Sequence, residues 1–245
     1  AMLRTAAELT RNLNTARPVI YWGDLLGSAA VGYGALFAAM TLANGWALVA
    51  GVIAVLALYR AGSFIHEMTH VKHSALPGFR LGWNLVVGIP LLVPSFLYEG
   101  VHTLHHQRTR YGTVDDPEYL PLALMKPWTL PLFVVASLLA PLALLLRFAV
   151  VAPLSLLSPA LRAVVVARYS GLAINPKFAR RAPEGALKRQ WAWQEAGASL
   201  WAITLIALVT TGTLSLSAFL IFLAVASGVA VLNQVRTLVA HLWEN

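Results

Sequence analysis

Long apolar blocks constrain the fold of this 245-residue chain more than any other feature. Two blocks, roughly 25–43 and 46–64, are joined by the short turn NGW, and a second pair, roughly 198–211 and 214–235, is joined around TTGT. About 20 apolar residues cross a bilayer as a helix, a length that the third block reaches if it begins near Trp193. We therefore expect an all-α integral membrane protein with four main transmembrane helices in two hairpins.

The charged residues predict which ends of these helices share a side of the membrane. Only 11% of the residues are charged, and the net charge is +8. The two short turns carry no charge, whereas the Lys and Arg residues flank the opposite ends of the blocks. Cytoplasmic loops are enriched in such residues, so we expect the other segments to face the cytoplasm, with the protein in a bacterial inner membrane. Because the cations form no stripe of their own, nucleic acid is not an expected partner.

Two further apolar segments, 82–100 and 128–161, are interrupted by prolines. A single crossing by either would place some of the histidines on the opposite side of the membrane from the others. We therefore interpret both segments as interfacial or re-entrant helices, or as hairpins that return to the side where they began, and we favour shallow insertion. Residues 1–245 then form a single membrane-embedded domain.

Histidine is confined to a few places in the chain. Six of the seven histidines fall in HEMTHVKH and HTLHH, and the seventh follows the last apolar block. At about 100° per residue, each group occupies one face of a helix. Imidazole suits zinc, copper, iron and nickel, and the chain has no cysteine to act as a ligand. The predicted metal ligands are His66, His70, His73, His102, His105, His106 and His241.

Two chemistries compete for the first motif. A His-Glu-x-x-His helix is typical of zinc peptidases, with Glu67 as general base, and would predict an intramembrane metalloprotease. That interpretation leaves HTLHH unexplained, because a catalytic zinc needs only three protein ligands. A membrane scaffold whose histidines bind nothing is a third hypothesis.

HEMTH, HTLHH about thirty residues later, and AHLWEN after the last span together resemble the membrane fatty acid desaturase/hydroxylase superfamily. The resemblance covers approximately residues 20–245. It implies two non-haem iron ions held by histidines, O2 as co-substrate, and a lipid or fatty acyl substrate in the membrane. Desaturation is the simplest expected reaction, with lipid hydroxylation or carotenoid ketolation as alternatives.

Other residues are candidates for orienting the ligands, because a ligand imidazole usually donates its second N–H to a carboxylate or carbonyl. The favoured source of such a carboxylate is the loop GTVDDPEY, which follows the second motif and also contains Glu118. The resemblance additionally draws attention to Gln234 and Thr237, two polar residues of the last span. The candidates are Glu67, Glu99, Asp115, Asp116, Gln234 and Thr237. Electrons must come from an external ferredoxin- or cytochrome-type donor, since the chain has no cysteine cluster, haem motif or flavin-binding glycine loop.

The resemblance is incomplete at the C-terminal end. The superfamily normally has a third motif, His-x-x-His-His, after the single histidine, and no such motif follows His241 in this sequence. We expect the sequence to be a C-terminally truncated form of a longer protein, with fewer metal ligands than the intact site.

Overall fold

The computed structural model describes Thr5 and residues 15–119 and 125–241, without the side chains of residues 240 and 241. Every regular element in these ranges is helical, as predicted. Four helices are long and apolar enough to cross a membrane, namely the first two and the last two. In chain order the α-helices are α1 (Pro18–Thr41), α2 (Gly45–His70), α3 (Phe79–Trp83), α4 (Val101–His105), α5 (Thr129–Leu138), α6 (Ala140–Leu146), α7 (Ala152–Ser155), α8 (Pro159–Tyr169), α9 (Gly185–Thr210) and α10 (Leu216–His241).

Small residues bring α1 and α2 close together as a hairpin. Ala29 on α1 is buried, as are Ala54 and Ala61, which lie two turns apart on α2. A Cβ atom added to Gly32 would lie only 2.7 Å from the Leu58 side chain, so the helices pack at a distance that only glycine permits there. Close approach through small residues is a common way for membrane helices to associate, because lipid provides no hydrophobic drive between them.

The segment 82–100 returns to the side where it began. Arg80, before it, forms an ion pair with Glu99 at its end. Between them, α3 continues into a π-helical turn, Asn84–Gly88, and a 3₁₀ turn, Ser95–Leu97. The segment is buried in the protein, with Trp83 only 1% exposed and its Nε1 donating to the Ala61 carbonyl oxygen. The structure therefore confirms the return but places the segment in the protein core, because neighbouring helices cover it.

The second interrupted segment is sharply bent, and the chain that precedes it is hydrogen-bonded to the chain that follows it. The axes of α5 and of the α6–α7 stretch differ by 51°, and the Ser227 hydroxyl, midway along α10, donates to the Leu138 carbonyl oxygen at the bend. Beyond α8, the backbone N–H groups of Ile174 and Asn175 donate to the carbonyl oxygen of Pro117, which precedes the segment. The stretch before the segment and the stretch after it are thus hydrogen-bonded to each other on one face of the molecule.

A buried ion-pair network fixes this segment to α9. Arg147, in a π-helical turn between α6 and α7, donates to Glu195 at 2.7 Å, and Arg162 contacts the other carboxylate oxygen at 2.6 Å. The Arg147 Nε also donates to the Tyr169 carbonyl oxygen. The arginine in the middle of this apolar segment is therefore neutralised inside the protein.

Candidate metal centre

Two helices bring four histidines together. His66 and His70 lie one turn apart at the end of α2, and His102 and His106 lie one turn apart in and just after α4. One ring nitrogen from each lies within 4.8 Å of the corresponding nitrogens of the others. Helical periodicity aligns each pair, and the return of segment 82–100 brings the two pairs to one place.

The nitrogens at the centre of this four-histidine cluster are closer than ordinary ring packing requires. The Nε2 atom of His102 lies 3.1 Å from that of His70 and 2.9 Å from that of His106. Two nitrogens bound at right angles to one metal ion, each about 2.1 Å from it, would be about 3.0 Å apart. The convergence of neutral nitrogen donors therefore fits a transition-metal ion.

The tautomer of His102 supports the same interpretation. Its Nδ1 lies 2.8 Å from a carboxylate oxygen of Glu118, and both side chains are buried. Because a carboxylate only accepts, the hydrogen resides on Nδ1, and Nε2 presents a lone pair to the cluster. Burial lowers the pKa of His106, and the neighbouring His102 lowers it further, which favours the neutral form that a metal ion requires.

Tyr98 is a contact of the cluster that the sequence motifs do not include. Its ring stacks on His102, and its hydroxyl lies 2.8 Å from His102 Nδ1 and hydrogen-bonds Glu118. Burial and the charge of Glu118 raise the pKa of the tyrosine, so its hydroxyl stays protonated and donates. The one signal for it in the sequence is its position one helical turn before His102.

His105 lies beside the cluster and is fixed by the same acidic loop. Its Nδ1 contacts both carboxylate oxygens of Asp116, at 3.0 and 2.9 Å. Asp116 is fully buried and also accepts from the backbone N–H groups of Gly112 and Glu118. Asn175 donates to the carbonyl oxygen of Asp116, so the loop is attached to the connector before α9.

His73 does not lie on the same helix face as His66 and His70. Helix α2 ends at His70, and Val71 and Lys72 have extended backbone conformations. His73 is then exposed in a short 3₁₀ turn and is not among the clustered histidines. The prediction that all three histidines share one helix face was wrong, because it assumed that the helix continued. The His241 side chain lies outside the part of the chain whose side chains are described.

The remaining candidates differ in their surroundings. Glu99 pairs with Arg80 and accepts from Gln190, and the side chain of Asp115 is exposed. Glu67 accepts weakly from Tyr21, at 3.4 Å, and one of its oxygens lies 3.8 Å from His66. Gln234 and Thr237 lie on α10, and an orienting role for them stays a prediction.

Comparison with known proteins assigns the family. A family model described as fatty acid desaturase matches residues 43–245. A ceramide hydroxylase from Caulobacter vibrioides (strain NA1000 / CB15N) is 46% identical over 246 residues, which cover 100% of this chain and 70% of the relative. No solved structure matches the chain. This protein therefore belongs to the membrane fatty acid desaturase/hydroxylase superfamily.

Proposed function

We propose that this protein hydroxylates a C–H bond of a ceramide-like lipid. Family membership makes it a lipid-modifying membrane oxidoreductase, a class that includes both desaturases and hydroxylases. The observation that favours hydroxylation is the 46% identity to a ceramide hydroxylase along the entire chain. Desaturation, the simplest expectation from the sequence motifs, is the alternative that product analysis separates from it.

The proposed reaction balances with a reductant from outside the chain. One C–H bond is replaced by C–OH using one atom of dioxygen, and the other atom leaves as water. This consumes two electrons and two protons. We propose that a ferredoxin- or cytochrome-type donor supplies the electrons at the cytoplasmic side, where cationic segments would attract an acidic partner.

We propose that the four-histidine cluster holds iron. The ligands would be His66, His70, His102 and His106, whose nitrogens converge in the way described above. When bound, iron supplies the activation of dioxygen that an unactivated C–H bond requires. The predicted stoichiometry remains two iron ions per chain, and His105 and His241 are candidate ligands for the second ion.

The protein's own groups determine the protonation and direction of these imidazoles. Glu118 keeps the hydrogen of His102 on Nδ1, and Asp116 contacts the Nδ1 of His105 in the same way. The Tyr98 hydroxyl is a second donor to Glu118, which leaves that carboxylate less free to rotate. Partners of this kind typically change metal affinity by about 10- to 100-fold when they are removed.

The test is a product analysis on the full chain in lipid vesicles, supplied with ferrous iron, a chemical or protein reductant, dioxygen and a ceramide. Mass spectrometry of the product should show the gain of one oxygen, and the gain should require dioxygen. Loss of two hydrogens instead would assign the protein to the desaturases and contradict the proposal.

A matched pair of histidine variants tests whether the cluster is responsible. His102→Ala removes the central imidazole and should abolish both product and bound iron. His73→Ala removes an exposed imidazole outside the cluster and should leave both nearly unchanged. Equal losses in the two variants would contradict the assignment of iron to this cluster.

A further inference from the structure

A single arginine contacts both stretches of chain that carry the clustered histidines. One terminal nitrogen of Arg80, Nη2, donates to the carbonyl oxygen of Met68 at 3.2 Å. The other, Nη1, forms an ion pair with a carboxylate oxygen of Glu99. Met68 lies midway between the two clustered histidines of α2, and Glu99 lies three residues before His102. Arg80 thus connects the last turn of α2 to the chain that enters α4.

This bridge is largely sheltered from water. The exposed fraction of the side chain is 19% for Arg80 and 10% for Glu99. The carboxylate oxygen that contacts Arg80 also accepts from Gln190 of α9 at 3.0 Å, so it is held from two sides. The N–H groups of a guanidinium are fixed in one plane, and their hydrogen bonds to a carboxylate are directional. The bridge is therefore better defined than an exposed ion pair between two flexible side chains.

The residue after Glu99 links this contact to the direction of α4. Gly100 is the N-cap of α4 and has a φ of +79°, a left-handed conformation that favours glycine. The carbonyl oxygen of Glu99 accepts from Arg180, which fixes the backbone just before this turn. The position of Glu99 thus determines where α4 begins, and with it where His102 and His106 present their nitrogens.

We propose that Arg80 is a positioning residue for the metal centre, and that its bridge from Met68 to Glu99 sets the spacing between the two histidine pairs. His70 and His102 are 32 residues apart in the chain, so covalent connection alone does not fix their nitrogens. A metal site requires its ligands to be held within about 0.5 Å of the productive geometry. The inference rests on the metal cluster of the proposed function and is independent of which reaction the cluster performs.

Arg80→Lys and Arg147→Lys test the proposal, because both change an arginine that bridges a carboxylate and a backbone carbonyl. The partners of Arg147 are Glu195 on α9 and the carbonyl oxygen of Tyr169 at the end of α8, outside the helices that carry the clustered histidines. Lysine keeps the charge beside each carboxylate but presents its donors from one nitrogen instead of a planar fork.

The measurement is a titration with cobalt(II). Each variant of the 245-residue chain is freed of metal with a chelator in detergent and titrated under anaerobic conditions. The visible absorption of bound cobalt(II) depends on the number and arrangement of its ligands, so one experiment gives both the dissociation constant and a signature of the coordination geometry.

We expect Arg80→Lys to raise the cobalt dissociation constant about three- to tenfold, the effect of one hydrogen bond, and to change the absorption spectrum of the bound ion. Arg147→Lys should lower the melting temperature and leave both the affinity and the spectrum as in wild type. A purely structural contribution of Arg80 would lower the melting temperature without changing the spectrum, and that result would overturn the positioning role.

Glu99→Gln changes the same bridge from its other end and decides the question if Arg80→Lys does not fold. It keeps an oxygen that accepts from Arg80 but removes the charge, so it should also weaken cobalt binding and change the spectrum. Wild-type affinity and spectrum in either folded variant, or equal changes in Arg80→Lys and Arg147→Lys, would overturn the positioning role.

The outcomes separate this inference from the proposed function. A wild type that binds no cobalt overturns the metal cluster of the proposed function and the positioning role with it. Desaturation of ceramide by the wild type, together with the expected cobalt results, overturns the proposed reaction and supports the positioning role.

Discussion

Glu118→Gln tests whether a carboxylate outside the histidine cluster determines how tightly the cluster binds metal. Glu118 accepts from His102 Nδ1 at 2.8 Å and from the Tyr98 hydroxyl, in a place where its side chain is 6% exposed. Glutamine keeps the size but removes the charge and replaces one accepting oxygen with an N–H₂ group. The His102 ring then loses the acceptor that keeps its hydrogen on Nδ1, or retains a weaker one.

The expected magnitude follows from this loss. Hydrogen bonds to charged groups contribute about 1.5–3 kcal/mol, and loss of a carboxylate behind a ligand histidine weakens metal binding about 10- to 100-fold. That range corresponds to about 1.4 to 2.8 kcal/mol. We expect this increase in the dissociation constant for ferrous iron, measured anaerobically by titration of the chelator-treated protein in detergent.

Asp115→Asn is the matched control, because it neutralises an exposed carboxylate of the same loop. Its iron affinity should lie within about twofold of wild type, and both variants should keep their helical circular dichroism. Glu118→Gln with wild-type affinity, or equal weakening in both variants, would refute the proposed role of the Glu118–His102 contact.

Two predictions concern the fold. Gly32→Ala should lower the melting temperature in detergent, because its Cβ would lie 2.7 Å from the Leu58 side chain. Overpacking of this kind costs about 1–3 kcal/mol. The control Gly34→Ala meets no atom within 4 Å and should be neutral or slightly stabilising. Glu195→Gln leaves Arg147 buried without its carboxylate and should destabilise the protein by about 3–5 kcal/mol in denaturant titration; an unchanged midpoint would show that the ion pair is dispensable.

Hydropathy and local periodicity are sufficient to predict the parts of this structure that depend on neighbours in sequence. The four spanning helices follow from apolar blocks of membrane-crossing length, and the pairing of His66 with His70 follows from one helical turn. Helix α2 continues beyond the apolar block, which ends near residue 64, to carry HEMTH, as the helical spacing of its histidines predicted. Hydrogen bonding within the backbone continues there although the apolar block has ended.

Features that depend on distant contacts were not predictable in the same way. Asp115 and Asp116 are adjacent and identical in type, yet only Asp116 is buried against His105. The orientation of that loop depends on Asn175, about sixty residues further along the chain. His73 shows a different error. The helical spacing of the histidines was extended past Val71, where the backbone leaves the helix.

The attachment of the acidic loop to the connector before α9 sets an order for how the site matures during synthesis. A nascent chain that ends near residue 119 already contains His66, His102 and Glu118. It does not yet contain Asn175, which donates to the carbonyl oxygens of Val114 and Asp116. The loop therefore acquires this attachment only after the connector has been synthesised, so the surroundings of His102 and His105 are complete only at that later stage.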